Sequence, residues 1–225
     1  MTISVLGTGN MGKALVKQAA SYAEGPVLWG SRNPRETVEL ARSFGLDQVT
    51  VGSYEDALEA DIVIPAFPAA AMMDWARANR EQLQGKIVVD ISNPFNEDFS
   101  GFTTAWGESS AERLQALLPQ SIVIGAFKNT FFKVFESPVF EGRKSDVLVT
   151  GNDEEAVIRF IERFKTLPFR FIHAGKLANN RTIERVTLLE LELAVRYGTY
   201  PYISLQLFGI QDPVPASEEE IREIV

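Results

Sequence analysis

The chain has no cysteine and a single histidine. The first absence excludes disulfide frameworks, thiolate catalysis and cysteine-based metal sites. The second leaves a histidine-cluster metal site without ligands. No run of about 18 apolar residues occurs, so no membrane span is expected. Basic residues are scarce: 22 Lys and Arg face 30 Asp and Glu, a net charge of −8. That balance argues against nucleic acid or an anionic membrane as partner. The first strand begins at residue 2 or 3, which leaves no space for a signal peptide and points to the cytoplasm. What is present is ordinary for a globular core. The 225 residues are 45% hydrophobic, enough for one large domain or one domain plus a modest extension.

The most informative segment lies at the start. Ile3-Ser4-Val5-Leu6 is a short apolar run. It leads into Gly7-Thr8-Gly9-Asn10-Met11-Gly12 and then into a helical pattern from Lys13 to Ala19. This is strand, glycine-rich turn and helix, with the G-x-G-x-x-G spacing of a dinucleotide-binding loop. Gly7 allows the tight turn, Gly9 lets backbone approach a pyrophosphate, and Gly12 lets helix pack on strand. The pyrophosphate then rests on free N–H groups at the helix N-terminus, where the dipole favours negative charge.

The fingerprint also predicts a ribose-reading residue about 20 positions on, at the end of the second strand. Pro26 to Gly30 is that strand, and Ser31-Arg32-Asn33-Pro34-Arg35 follows it. An NAD site normally places Asp or Glu here, and none is present. Arg32 and Arg35, with the Ser31 hydroxyl, suit a 2′-phosphate, which a carboxylate would repel. The expected cofactor is NADP(H).

Strand and helix signals then alternate, which predicts an α/β protein: a doubly wound, mostly parallel sheet of about eight strands. Residues 1–175 are expected to form the dinucleotide-binding domain. Residues 176–225 form a small helical portion, packed on it or in a dimer interface. Strands are expected at 48–51, 61–64, 85–91, 121–125, 146–150 and 169–172. Ser53, Ser109 or Ser110, and Asn152 or Asp153 are the expected helix caps. Residues 126–142 read as irregular, a long helix runs from about Thr182 to Tyr197, and Ser217–Glu220 has a capping-box pattern for a last helix.

Ligands of open α/β sheets lie beyond the carboxyl ends of the strands. That selects Pro65-Ala66-Phe67-Pro68 and Ser92-Asn93-Pro94-Phe95 for the cofactor, with Asn93 placed to bond a nicotinamide carboxamide. It also selects Phe127, Lys128 and Asn129 for substrate. Phe67, Phe95, Phe127, Phe131 and Phe132 form a candidate wall for a flat aromatic substrate, or else ordinary core. Acid–base groups are few, since His173 at the end of a late strand reads as structural. Carbonyl or imine reduction benefits from a positioned acid. Hydride exchange with a flavin-like ring needs mainly stacking and close approach. The residue supply favours the second.

The glycine loop, Gly30-Ser31-Arg32, and the late stretch Ala174-Gly175-Lys176-Leu177-Ala178-Asn179-Asn180-Arg181-Thr182-Ile183-Glu184 together resemble the family of NADP oxidoreductases dependent on coenzyme F-420. That family includes the cytoplasmic reductase domain of membrane metalloreductases. The resemblance covers roughly residues 1–210. It implies a Rossmann fold with a small C-terminal portion, NADP held through Thr8, Ser31 and Arg32, hydride transfer to a deazaflavin or flavin, and homodimers. Leu177 of the late motif joins the substrate candidates, and Arg181 and Glu184 are placed to pair one turn apart. Two alternatives stay open: a small 3-hydroxyacid or imine dehydrogenase, and an NADP-binding sensor without turnover.

Overall fold

The computed structural model describes residues 1–210. The expected helix at Ser217–Glu220 lies outside the described residues. The strands are β1 (Ile3–Leu6), β2 (Val27–Gly30), β3 (Thr50–Gly52), β4 (Ile62–Pro65), β5 (Ile87–Asp90), β6 (Ile122–Gly125), β7 (Val139–Phe140), β8 (Arg143–Lys144), β9 (Asp146–Gly151) and β10 (Arg170–His173). The helices are α1 (Asn10–Tyr22), α2 (Pro34–Ser43), α3 (Tyr54–Ala57), α4 (Ala69–Ala78), α5 (Ser110–Leu117), α6 (Glu154–Phe164) and α7 (Asn180–Arg196).

Eight strands form one sheet in the order β10-β9-β6-β5-β4-β1-β2-β3. Every pairing is parallel except β6 with β9. The exception has a simple cause. A parallel return needs a crossover that carries the chain back to the starting end. The segment between β6 and β9 has no α-helix; it makes a 3₁₀ turn at Phe132–Glu136 and the β7–β8 hairpin. β9 therefore sets out from the end at which β6 finished. This is the architecture of a Rossmann-type sheet, wound so that the ends of β1, β4, β5 and β6 share one edge.

Both faces of the sheet are covered, so the central strands are apolar throughout. The period of two sorts them: Ile62, Ile64, Ile87 and Val89 face one core cluster, while Val63, Val88 and Val123 face the other. Ser53, Ser109 and Asp153 cap α3, α5 and α6, each accepting from the backbone three residues on. The third strand lies at Thr50–Gly52, slightly later than its apolar pattern suggested, and α4 ends at Ala78 rather than near Gln82. α7 begins at Asn180, two residues before the expected start. Among the described residues no helix is long and apolar enough to cross a membrane.

Candidate functional site

The glycine loop closes the end of β1. Gly7 takes φ +108°, a conformation reserved for glycine, and its N–H donates to the Gly30 carbonyl at 2.8 Å. The buried Trp29 ring N–H donates back to the Gly7 carbonyl at 2.9 Å, pinning the turn. A Cβ at Gly12 would lie 2.1 Å from the Gly7 oxygen, so α1 approaches the loop only because residue 12 has no side chain. A Cβ at Gly9 would meet nothing within 4 Å: that face of the loop is open. α1 has no side-chain cap and no acidic residue in its first turn. Its leading N–H groups are thus offered outward, with the positive end of the dipole behind them. Thr8 and Met11 are half-buried and Asn10 is exposed beside them. These features fit a pyrophosphate.

The second-strand residues flank this loop. The Ser31 N–H donates to the Gly52 carbonyl at 3.0 Å, and the buried Ser31 hydroxyl accepts from Thr37 at 2.7 Å. Arg32 and Arg35 are both exposed, one at the strand end and one in the first turn of α2. On the other flank, the Ala66 N–H donates to the Leu6 carbonyl at 2.8 Å. The Phe67 ring lies 3.4 Å from where a Cβ of Gly7 would stand. Pro68 is the N-cap of α4.

Asn93 sits beyond β5. Its side-chain amide donates to the Lys128 carbonyl at 2.8 Å, while its Oδ1 is buried and has no partner among the described residues. A buried acceptor left open carries a cost of about 1–3 kcal/mol. A ligand amide, such as a carboxamide, would relieve it. Pro94 is buried, and its carbonyl accepts from the Thr103 N–H at 2.7 Å.

The four residues read as substrate contacts are instead engaged inside the protein. Phe127 is 1% exposed, at φ 55°, with its ring 5.6 Å from Phe135 and 5.8 Å from Phe171. Residue 127 follows a strand, which usually means an exposed loop. Here α6, β10 and the Phe132–Glu136 turn pack their phenylalanines around it. Asn129 is buried between strands, donating to the Asp146 carbonyl at 2.8 Å and accepting from the Leu148 N–H at 3.2 Å. Leu177 is fully buried in the 3₁₀ turn before α7.

Lys128 is the hub of a buried ionic cluster that sequence reading missed. Its ammonium lies 2.7 Å from Asp90 Oδ2, 2.9 Å from Ser110 Oγ and 3.1 Å from Glu184 Oε1, and also reaches the Ser92 carbonyl. The Lys128, Asp90 and Glu184 side chains are 0% exposed. Burial pushes the Glu184 carboxyl above its ordinary range, and Lys128 opposes that. Glu184 also accepts from the Ser110 N–H at 3.0 Å. It therefore does not pair with Arg181, which forks onto Glu112 with an Nε–Oε2 distance of 2.8 Å. The two residues are one turn apart, but Arg181 points outward and Glu184 inward. Asp90, Ser110, Lys128 and Glu184 are far apart in sequence, so only the fold brings them together.

A cleft of about 1200 Å³ opens between the 95–106 segment and α7, with Phe95, two residues past Asn93, in its lining. Its aromatic lining includes Phe95, Phe99, Phe102, Trp106, Phe131 and Tyr200. Phe95 and Phe102 stack at 5.3 Å, and the Arg185 guanidinium lies 4.5 Å from the Trp106 ring. The expected aromatic wall is therefore divided. Phe95 and Phe131 reach the cleft, Phe67 flanks the glycine loop, Phe127 is core, and Phe132 opens the 3₁₀ turn. The loops that carry Phe95 and Phe131 are the two that Asn93 ties together. His173 ends β10, three strands from β5 and so about 14 Å away across the sheet. Its Nδ1 accepts from the Gly175 N–H at 3.1 Å, a structural contact.

Residues 2–94 match the family model described as NADP oxidoreductase, coenzyme F420-dependent. The chain is 31% identical over 222 residues to the F420-dependent NADP reductase of Methanocaldococcus jannaschii, covering 88% of this chain and 94% of that protein. It is 29% identical over 214 residues to the metalloreductase STEAP3 of Rattus norvegicus, covering 89% of this chain but 41% of that longer protein. The crystal structure of a putative F420 dependent NADP-reductase from Arthrobacter sp. FB24 superposes with a TM-score of 0.77 at 25% identity, over 88% of this chain and 95% of the other. The chain belongs to the family of coenzyme F420-dependent NADP oxidoreductases.

Proposed function

We propose that this enzyme moves a hydride between NADPH and a flat aromatic acceptor, with the deazaflavin coenzyme F420 as the first candidate. The single observation that carries the reading is the position of Asn93. Its unpartnered Oδ1 follows β5, two strands along the sheet from the β1 end that carries the glycine loop, and two residues before Phe95 of the cleft. A nicotinamide bound through its carboxamide there would present its ring towards the cleft.

The chain's own residues then have distinct tasks. Gly9 and the start of α1 hold the pyrophosphate, and Arg32 and Arg35 meet the 2′-phosphate. Asn93 orients the nicotinamide, and the Lys128 cluster holds the Ser92–Asn93 turn in place. Phe95 and Phe131 give the acceptor a face to stack on. NADPH supplies two electrons as a hydride, and one proton from water at the open mouth completes the acceptor's reduction. No side-chain acid is needed for the transfer itself. The homologue named F420-dependent NADP reductase supports this acceptor.

A second copy of the chain is part of the same proposal. Leu189 and Val195, which also line the cleft, and Tyr197, just after α7, are 56%, 63% and 74% exposed. Exposed apolar surface of this kind suits a partner of the same sort.

The test is NADPH oxidation against coenzyme F420, FMN, a short-chain quinone and a ferric chelate. F420 reduction matched one-for-one to NADPH consumption supports the reading. NADPH binding without turnover on any of the four would favour a sensor.

A further inference from the structure

Tyr54 is absent from the residues that sequence reading assigns to the 2′-phosphate. Three observations place it near Arg32. Its ring centroid is 5.2 Å from that of Phe67, the ring that lies against Gly7. Arg32 and Tyr54 each lie two residues past the Gly30–Gly52 pair that ends the β2–β3 ladder, and the Arg32 charge counters the upward push that burial gives the phenol. And its mount is rigid. Ser53 and Asp56 close a reciprocal capping box around the first turn of α3. A Cβ at Gly30 would lie 2.7 Å from the Ala57 methyl, so α3 is seated directly on the end of β2. The Ser31 N–H, donating to the Gly52 carbonyl at 3.0 Å, ties the same corner from the other side.

Arg32 is exposed, and no other side-chain partner holds it among the described residues. An exposed arginine samples many rotamers, and fixing one costs side-chain entropy. Guanidinium carries five N–H donors and no acceptor, while a phenol oxygen accepts. One N–H engaged by Tyr54 leaves the rest of the fork free to meet a phosphate dianion.

We infer that Tyr54 is a positioning residue for cofactor choice: its hydroxyl holds Arg32 in the orientation that reads the 2′-phosphate of NADPH, and its ring backs Phe67 along the adenosine side of the groove. This rests on the proposed NADPH reading of Arg32. It assigns the hydroxyl an effect on NADPH that NADH, lacking the phosphate, does not feel. The ring, kept in Tyr54→Phe, serves both cofactors.

The experiment measures dissociation constants for NADPH and NADH by titration of the full chain, for the parent, Tyr54→Phe, Arg32→Ala and the double variant. Loss of one hydrogen bond that orients a charged group predicts a roughly three- to tenfold weaker NADPH complex for Tyr54→Phe. NADH binding stays unchanged, and the NADPH-over-NADH preference falls by the same factor. In the Arg32→Ala background the second change adds nothing. Unaltered NADPH binding by Tyr54→Phe, or equal weakening of both cofactors, overturns the inference alone if Arg32→Ala still weakens NADPH. Unaltered NADPH binding by Arg32→Ala overturns the inference and the cofactor reading together.

Discussion

The Asn93 side chain donates to the Lys128 carbonyl at 2.8 Å and keeps its own carbonyl oxygen free. One contact thus joins the loop after β5 to the loop after β6 and leaves an open acceptor at the carboxyl edge of the sheet. Asn93→Ala removes both the tie and the acceptor. NADPH binding is expected to weaken by about tenfold, the effect of losing one hydrogen bond of about 1–1.5 kcal/mol. Titration with NADPH and with a nicotinamide-free fragment such as 2′,5′-ADP checks this, because only the former should lose affinity.

Lys128 balances two buried carboxylates, so its removal strands them. Lys128→Met is expected to destabilise the fold by about 3–5 kcal/mol, the usual result of breaking a buried ion pair from one side. Denaturant unfolding measures it. Asp90→Asn combined with Glu184→Gln in the Lys128→Met background should recover part of the loss, because the stranded charges are gone.

The loop geometry predicts a steric effect at Gly12. A methyl group there would stand 2.1 Å from the Gly7 oxygen, which is backbone and cannot step aside. Gly12→Ala therefore pushes α1 off the loop. It is expected to cost about 1–3 kcal/mol of stability and at least about tenfold in NADPH affinity. Gly9→Ala has open space around it and should leave stability nearly unchanged while crowding the pyrophosphate. Unfolding and NADPH titration of the two variants separate these outcomes.

Glu190 on α7 is 6% exposed, and neither carboxylate oxygen has a partner among the described residues. Burial pushes its pKa up to about 8 from 4.5. The folded state thus holds a proton that the unfolded chain releases near pH 4.5. Stability from this group is complete below pH 4.5 and declines as pH rises, until the folded carboxyl ionises near pH 8. Glu184, raised by burial, adds in the same direction. Glu190→Gln should remove the larger part of that slope and raise stability at pH 9 by roughly 3–5 kcal/mol. Melting curves across pH 5–9 give the answer.

Much of the fold was legible because its signals are local. The strand–turn–helix at residues 3–22 and the apolar runs of β4 and β5 announce themselves by period and by glycine spacing. The β7–β8 hairpin was not, since two-residue strands show no alternation. Of the candidate site, the strand–turn–helix geometry of the glycine loop was legible, because one motif fixes it. The fates of Phe127 and Lys128 were not. Whether a loop residue faces solvent depends on what folds over it, here α6 and β10 over Phe127 and α7 over Lys128. The Lys128 cluster and the cleft are built from parts distant in sequence, and the Tyr54–Arg32 contact depends on how α3 seats on Gly30.

The central claim is direct hydride passage from NADPH to an acceptor stacked in the cleft. The most direct measurement uses NADPH deuterated at each face of the nicotinamide C4 in turn, with coenzyme F420 as acceptor and mass analysis of the product. The account predicts deuterium in the reduced acceptor from one face only, with none lost to water. Deuterium appearing in solvent, or transfer from both faces alike, would contradict it.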